Sequence, residues 1–147
     1  MTEAVMTDID RKLTKQYKEY RDAGWSPESQ VKAMDRMGID MAFLYPSSGL
    51  NMWAFNGMEP KLAGALAKAY NDWLYEFANF DPKRLRPVAG VSLHDPEGAV
   101  EEVQRVAKTL GIRAVFLRPN PLNGRLLSDP DYESLWTECE RLGVSIG

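Results

Sequence analysis

An α/β fold built on a parallel sheet of about four strands is what this sequence predicts, and three observations predict it. Three segments share one grammar, opening on Ser-Pro or Asp-Pro and closing on a glycine. An apolar run follows each of those glycines, and two of the runs align position for position without a gap. Helical and strand patterns therefore alternate along the chain, the arrangement that gives parallel strands joined by right-handed crossovers.

The elements follow in order. Ile9, Leu13, Tyr17 and Tyr20 fall at helical spacing and predict a leading helix. Ser26-Pro27-Glu28 opens a second helix that closes at Met37-Gly38-Ile39. A Ser or Asp before Pro caps free backbone N–H groups with its side-chain oxygen, and proline at the first helical position sacrifices no bond. Glycine at the far end supplies the left-handed residue that stops the helix. The first strand is the run Ile39 to Tyr45, ending at Pro46. A long helix is predicted from about Pro60 to Phe80, with Leu62, Leu66, Tyr70, Trp73 and Phe77 as its buried stripe. Asp81-Pro82 ends it, because a residue before proline avoids helical angles. Val88-Ala89-Gly90-Val91-Ser92-Leu93 reads as the second strand. Asp95-Pro96-Glu97 opens the next helix, with Val100, Val103, Ala107 and Leu110 on one face. Ile112 to Arg118, ending at Pro119, is the third strand and matches the first in pattern. Asp129-Pro130-Asp131 opens a last helix, with Tyr132, Leu135, Trp136, Cys139 and Leu142 inward, and Val144-Ser145-Ile146-Gly147 begins a fourth strand. Such apolar runs suit strands covered on both faces. No linker or low-complexity tract divides the chain, so residues 1–147 are expected to form a single domain.

Composition narrows the function classes. The apolar share of 44% and charged share of 27% are those of a folded domain, not a disordered one. A net charge of −3 gives no electrostatic reason to expect nucleic acid or an anionic membrane as partner. No apolar run approaches the ~18 residues a bilayer span needs, and the polar start is unlike a secretory signal. A single cysteine permits no internal disulfide, which fits a reducing, cytoplasmic setting. The length of 147 residues is too short for a complete (β/α)₈ barrel, which takes about 250.

Ligands of parallel α/β sheets bind at the carboxyl ends of the strands. Here those ends are Tyr45-Pro46-Ser47-Ser48-Gly49, Leu93-His94-Asp95 and Arg118-Pro119-Asn120-Pro121. Arg118 ends a buried strand, where its planar fork suits either a substrate carboxylate or a neighbouring acid. Asn120 lies two residues on, as a polar ligand-orienting group or simply a turn residue. His94 is the only histidine. It is a candidate base or polar contact, but zinc takes three or four ligands and His94 has neither a second histidine nor a nearby cysteine to join it. Ser47-Ser48-Gly49 lacks the glycine spacing and lysine of a phosphate loop. Trp53 and Phe55, in the loop after the first strand, are candidates to line a pocket or simply aromatics that pack there. Cys139, flanked by Glu138 and Glu140, reads as a core thiol and not a nucleophile, since neighbouring acids disfavour the thiolate. No dinucleotide fingerprint is present.

Several stretches together resemble the amidohydrolase-related family, often called amidohydrolase 2. They are Ala33-Met34-Asp35-Arg36-Met37-Gly38-Ile39-Asp40 running into Phe43-Leu44-Tyr45-Pro46; Tyr70-Asn71-Asp72-Trp73 with Asp81-Pro82-Lys83-Arg84-Leu85; Gly111 to Leu117; and Asp129-Pro130-Asp131-Tyr132 through Leu135-Trp136 to Glu140-Arg141-Leu142-Gly143-Val144. The resemblance runs from about Trp25 to the end. It implies a (β/α)₈ TIM barrel, of which this chain would be a partial barrel of about four strands, and a metal-dependent hydrolase or decarboxylase of small carboxylate-bearing substrates. The family's metal ligands are a His-x-His on the first strand, later histidines including one closing the fifth strand, and an aspartate on the last. None has a counterpart here. The chain is expected to begin after the first barrel strand and to end at Gly147, about where the fifth-strand histidine falls. The resemblance therefore implies a divalent, zinc-like metal in the complete parent enzyme and none in this chain, which is expected to be inactive alone. It carries over only Tyr45, Arg118 and Asn120 as substrate-binding positions, with His94 beside them at a strand end.

Two other readings compete. An incomplete barrel leaves parallel edges unpaired, which invites association, so a non-enzymatic assembly module or homo-oligomer is one rival. A small doubly wound domain with a ligand at its switch point is the other, and strand order separates it from a barrel.

Overall fold

The computed structural model describes Lys15, residues 17–47, Trp53 and residues 55–147. The chain divides into two compact units, Met1–Met41 and Ala42–Gly147.

In the first unit, helix α1 spans Lys18–Asp22 and helix α2 spans Pro27–Met37. The expected caps form on α2. The Ser29 N–H donates to Ser26 Oγ at 3.2 Å, and Gly38 takes the left-handed conformation at φ 68°. Arg36 holds Glu19 through both guanidinium nitrogens, at 2.8 and 2.9 Å, which ties α2 to α1. That guanidinium keeps the Glu19 carboxyl below its ordinary range. Ile9 and Leu13, two of the four positions that predict the leading helix, lie outside the described residues.

The second unit contains strand β1 (Ala42–Leu44), helix α3 (Pro60–Ala78), strands β2 (Leu85–Pro87) and β3 (Ala89–Gly90), helix α4 (Pro96–Lys108), strand β4 (Ala114–Phe116), a 3-10 turn (Pro130–Tyr132), helix α5 (Glu133–Leu142) and strand β5 (Ser145–Ile146). β2 and β3 are one run of chain whose two halves face different neighbours. β1 pairs with β2 at Ala42↔Leu85 through Leu44↔Pro87, while β3 pairs with β4 at Ala89↔Val115 and Gly90↔Phe116. The Val88 N–H reaches the Leu44 carbonyl at 3.1 Å and the Val91 N–H reaches that of Phe116 at 2.9 Å, so the run serves both sides. β4 pairs with β5 at Ala114↔Ser145 and Val115↔Ile146. Every ladder is parallel, and the strands follow chain order without reversal. Consecutive order is that of a barrel segment and excludes the doubly wound alternative.

The strands are shorter than the apolar runs that predict them. Pro46 and Pro119 have no N–H to give a ladder, and Gly38 and Gly111 hold left-handed angles before the strands begin. The main core joins Ala89, Val91 and Val115 of the sheet to Val103 and Val106 of α4 and Leu135 of α5. The faces of α4 and α5 agree with the helical spacing, with Val100, Leu110, Trp136 and Leu142 at the margin.

Three expectations need correction. The buried stripe of α3 is not Leu62–Leu66–Tyr70–Trp73–Phe77 but Ala63, Ala67, Asn71, Leu74 and Ala78. Leu62 and Trp73 are more than half exposed. Small residues let the helix axis approach neighbouring backbone closely, and the bulky ones move to its flanks, where Tyr70, Trp73 and Phe77 pair ring to ring. Asp95 precedes α4 as expected but makes no side-chain cap bond. Its carboxylate lies over Gly98 instead, 2.8 Å from where a Cβ would stand. The first strand is not covered on both faces either, since Phe43 is 62% exposed and Tyr45 51%.

Candidate functional site at the carboxyl ends of the strands

The site is built outward from Gly90, the last residue of β3. Asn71, fully buried on α3, grips both backbone polar groups of that glycine. The Gly90 N–H donates to Asn71 Oδ1 at 2.7 Å, and Asn71 Nδ2 donates to the Gly90 carbonyl at 2.9 Å and to Glu102 at 2.7 Å. Glu102 in turn binds Arg105, which also reaches Asp72, so the grip is fixed to α4 by an ion network. Gly90 must be glycine for a second reason. A Cβ there would lie 2.2 Å from the six-membered ring of Trp53. The indole therefore rests over bare backbone, and it also makes an edge-to-face pair with Tyr70 at 5.7 Å. Burial pushes the Tyr70 hydroxyl up to about 12.

Trp53 forms one wall of a cavity of about 20 Å³ shared with Val91, Leu93, Arg118, Asn120 and Leu122. Arg118 donates to Asn120 Oδ1 at 3.2 Å. The structure thus brings two of the four candidate residues together and adds Trp53 to them.

The loops above this cavity are clasped. Leu122 and Arg125 form a two-residue hairpin bridge across Asn123 and Gly124, both at positive φ. Asn-Gly is the pair that such a primed turn favours, and that dipeptide was the readable signal for this element. Asn123 then binds the loop after β1 twice. Its N–H donates to Asn56 Oδ1 at 2.9 Å, and its own Oδ1 accepts from the Gly57 N–H at 2.8 Å.

His94 is buried at the end of the run that includes β3. Its Nε2 lies 2.8 Å from the Phe55 carbonyl, and its Nδ1 lies 3.0 Å from Ser92 Oγ. A carbonyl only accepts, so Nε2 carries a proton and donates to it, while Nδ1 shares a hydrogen bond with the Ser92 hydroxyl. His94 therefore ties down the same loop that Asn123 clasps. Tyr45 stands apart from Arg118 and Asn120. Its ring meets Phe116 edge to face at 6.1 Å and lines a larger cavity of about 660 Å³, with Phe43, Arg86, Arg113 and Ser145. Part of that lining, Asn79, Pro82 and Leu110 to Arg113, comes from loops entering the strands. That is the side that usually serves stability and not chemistry, so the smaller cavity is the better site. Ser47 is exposed, while Ser48 and Gly49 lie outside the described residues. Cys139 is buried on α5, where burial and then Glu138 push its thiol up, in line with a core role.

A family model described as Amidohydrolase matches residues 7–147. The chain belongs to the amidohydrolase family. Among curated relatives, it is 26% identical over 123 residues to 2-amino-3-carboxymuconate-6-semialdehyde decarboxylase of Dictyostelium discoideum, covering 83% of this chain and 33% of that protein. Among solved structures, it resembles 2,6-dihydroxybenzoate decarboxylase from Rhizobium with a TM-score of 0.70 and 28% identity, over 80% of this chain and 37% of that one. It also resembles a dihydroxybenzoic acid decarboxylase from Polaromonas sp. JS666, whose structure contains manganese and the inhibitor 2-nitroresorcinol, with a TM-score of 0.68 and 25% identity, over 80% of this chain and 36% of that one. The chain spans about a third of the length of the relatives it matches, and its parallel strands form part of a (β/α)₈ barrel.

The manganese of that relative sets a test for the residues here. Among the described residues, no three of His, Cys, Asp and Glu are grouped to hold a metal. Both ring nitrogens of His94 are engaged by Ser92 and Phe55. The described donor set does not fit a divalent ion. No helix among the described residues is long and apolar enough to cross a membrane.

Proposed function

We propose that this chain forms the carboxylate-recognising wall of an amidohydrolase-family decarboxylase acting on a small, ring-bearing carboxylate. The observation that carries this reading is the pairing of Arg118 with Asn120 beside a cavity at the carboxyl end of β4. The decarboxylase relatives support carbon–carbon cleavage over amide hydrolysis. In this reading Arg118 meets the substrate carboxylate with its planar fork, and Asn120 fixes the guanidinium's orientation. Tyr45, in the other cavity, has no part in this carboxylate contact. His94 holds the loop that closes over the site. The metal of the whole enzyme would be bound by residues outside those described, and the isolated chain would recognise substrate without converting it. One domain over residues 1–147 and a cytoplasmic setting, which suits the single buried thiol, belong to the same proposal.

Calorimetric titration tests it. The chain is expected to bind 2,6-dihydroxybenzoate with a dissociation constant of about 1 mM, near −4 kcal/mol. Arg118→Gln should weaken it about tenfold, the scale of one charge-assisted hydrogen bond. Resorcinol, which lacks the carboxylate, should bind both forms equally weakly. Equal affinity for the two compounds in the unaltered chain would refute carboxylate recognition.

One observation favours a second reading, association through the sheet. β1 and β5 stand at the two ends of the strand order, and Phe43 and Ile146 on them are exposed. Paired copies should separate when Phe43→Glu adds charge to the edge. A monomeric sedimentation coefficient at all concentrations for the unaltered chain would remove this reading.

A further inference from the structure

We propose that the Trp53 indole N–H donates a hydrogen bond to one oxygen of the bound carboxylate, making Trp53 a substrate-binding residue alongside Arg118. This rests on the carboxylate-recognition reading above and assigns a second contact to it.

Trp53 is 3% exposed, and its Nε1 is the one buried side-chain nitrogen or oxygen without a hydrogen-bond partner among the described residues. Buried polar groups in folded proteins are nearly always satisfied, because an unpaired donor loses its hydration and gains nothing in return. An indole offers a donor and no acceptor. The group that completes it must therefore present a lone pair.

The surroundings narrow the choice. The cavity that Trp53 lines has room for one water-sized group, since about 10–15 Å³ is enough for one. Arg118 lines the same cavity and brings a positive charge. The oxygen of the nearby Asn120 side chain already accepts from Arg118. An N–H donor and a guanidinium together select an anionic oxygen and disfavour a cation or a donor-only group. Val91, Leu93 and Leu122 supply apolar walls, which strengthen such a bond by excluding water. The indole is also held in place. It lies over Gly90, whose backbone Asn71 fixes from both sides, and against the edge of Tyr70. A donor fixed this firmly before binding is what a recognition site requires.

The test uses the full chain labelled with ¹⁵N at its tryptophan indoles. Trp53→Phe identifies the Trp53 resonance by its disappearance. Titration with 2,6-dihydroxybenzoate should move that resonance downfield and saturate at the calorimetric dissociation constant, while resorcinol leaves it in place. Trp53→Phe should weaken carboxylate binding about fivefold, as loss of one hydrogen bond does. Carboxylate binding seen by calorimetry with an unmoved Trp53 resonance would overturn this inference and leave the recognition reading intact. A resonance already held by a trapped water, and indifferent to carboxylate, would overturn it too. No carboxylate binding at all would overturn both.

Discussion

Gly90 and Trp53 show how two residues remote in sequence specify each other. The glycine is needed because the indole occupies the place of a Cβ. Gly90→Ala should therefore cost about 1–3 kcal/mol, the usual range for overpacking a filled site. Urea denaturation measures it. Combining Gly90→Ala with Trp53→Leu should recover part of the loss, and full additivity of the two would contradict the contact. Cys139 gives a second prediction at this scale. Its burial and raised thiol pKa mean that a disulfide reagent at neutral pH should label it only as fast as the chain unfolds. Labelling at the rate of a free peptide thiol would show otherwise. The sequence marks Trp53 as an aromatic in a loop and Cys139 as a core position. It does not show that the indole settles on Gly90, because that contact depends on how α3, β3 and the loop after β1 come together.

At the scale of elements, α3 is the piece that positions the site. Asn71 on its buried face satisfies two backbone groups of β3 and one carboxylate of α4. Asn71→Ala should cost about 1–3 kcal/mol for each Gly90 group left without a partner, again read from urea midpoints. A change under ~0.5 kcal/mol, as for an ordinary surface site, would show that water replaces the amide freely. Tyr70, on the same helix, carries a pH signature. Folding raises its pKa from 10 to about 12, so the folded state favours the neutral phenol. Its contribution is intact below pH 10 and is lost as pH rises through about 12. The urea midpoint should therefore fall over that range in the unaltered chain and fall less in Tyr70→Phe. The existence of α3 was legible from its proline start and Asp81-Pro82 stop. Its buried face was not, because a hydrophobic count favours bulky residues, whereas close approach to backbone favours Ala63, Ala67 and Asn71. The Asn123-Gly124 hairpin carried a readable turn signature, but its clasp on Asn56 and Gly57 is again a long-range contact.

For the whole molecule, the repeated helix-glycine-strand grammar translated directly into parallel strands in consecutive order. Local rules suffice for that much: prolines start α2, α3 and α4, left-handed glycines end α2 and α5, and apolar runs become strands. The site was legible only in part. Arg118 and Asn120 could be named from their place after a strand, and they do meet. Tyr45 falls in a different cavity, and His94 turns inward to Ser92 and Phe55, because burial and hydrogen bonding depend on the loops and not on the strand ends alone. The central claim is that this chain recognises a carboxylate without a metal. Its most direct test is the affinity of 2,6-dihydroxybenzoate for the chain, measured by calorimetry with and without saturating manganese. The same dissociation constant in both conditions, with no carbon dioxide released, is the predicted result. Binding that appears only with one equivalent of manganese would contradict it.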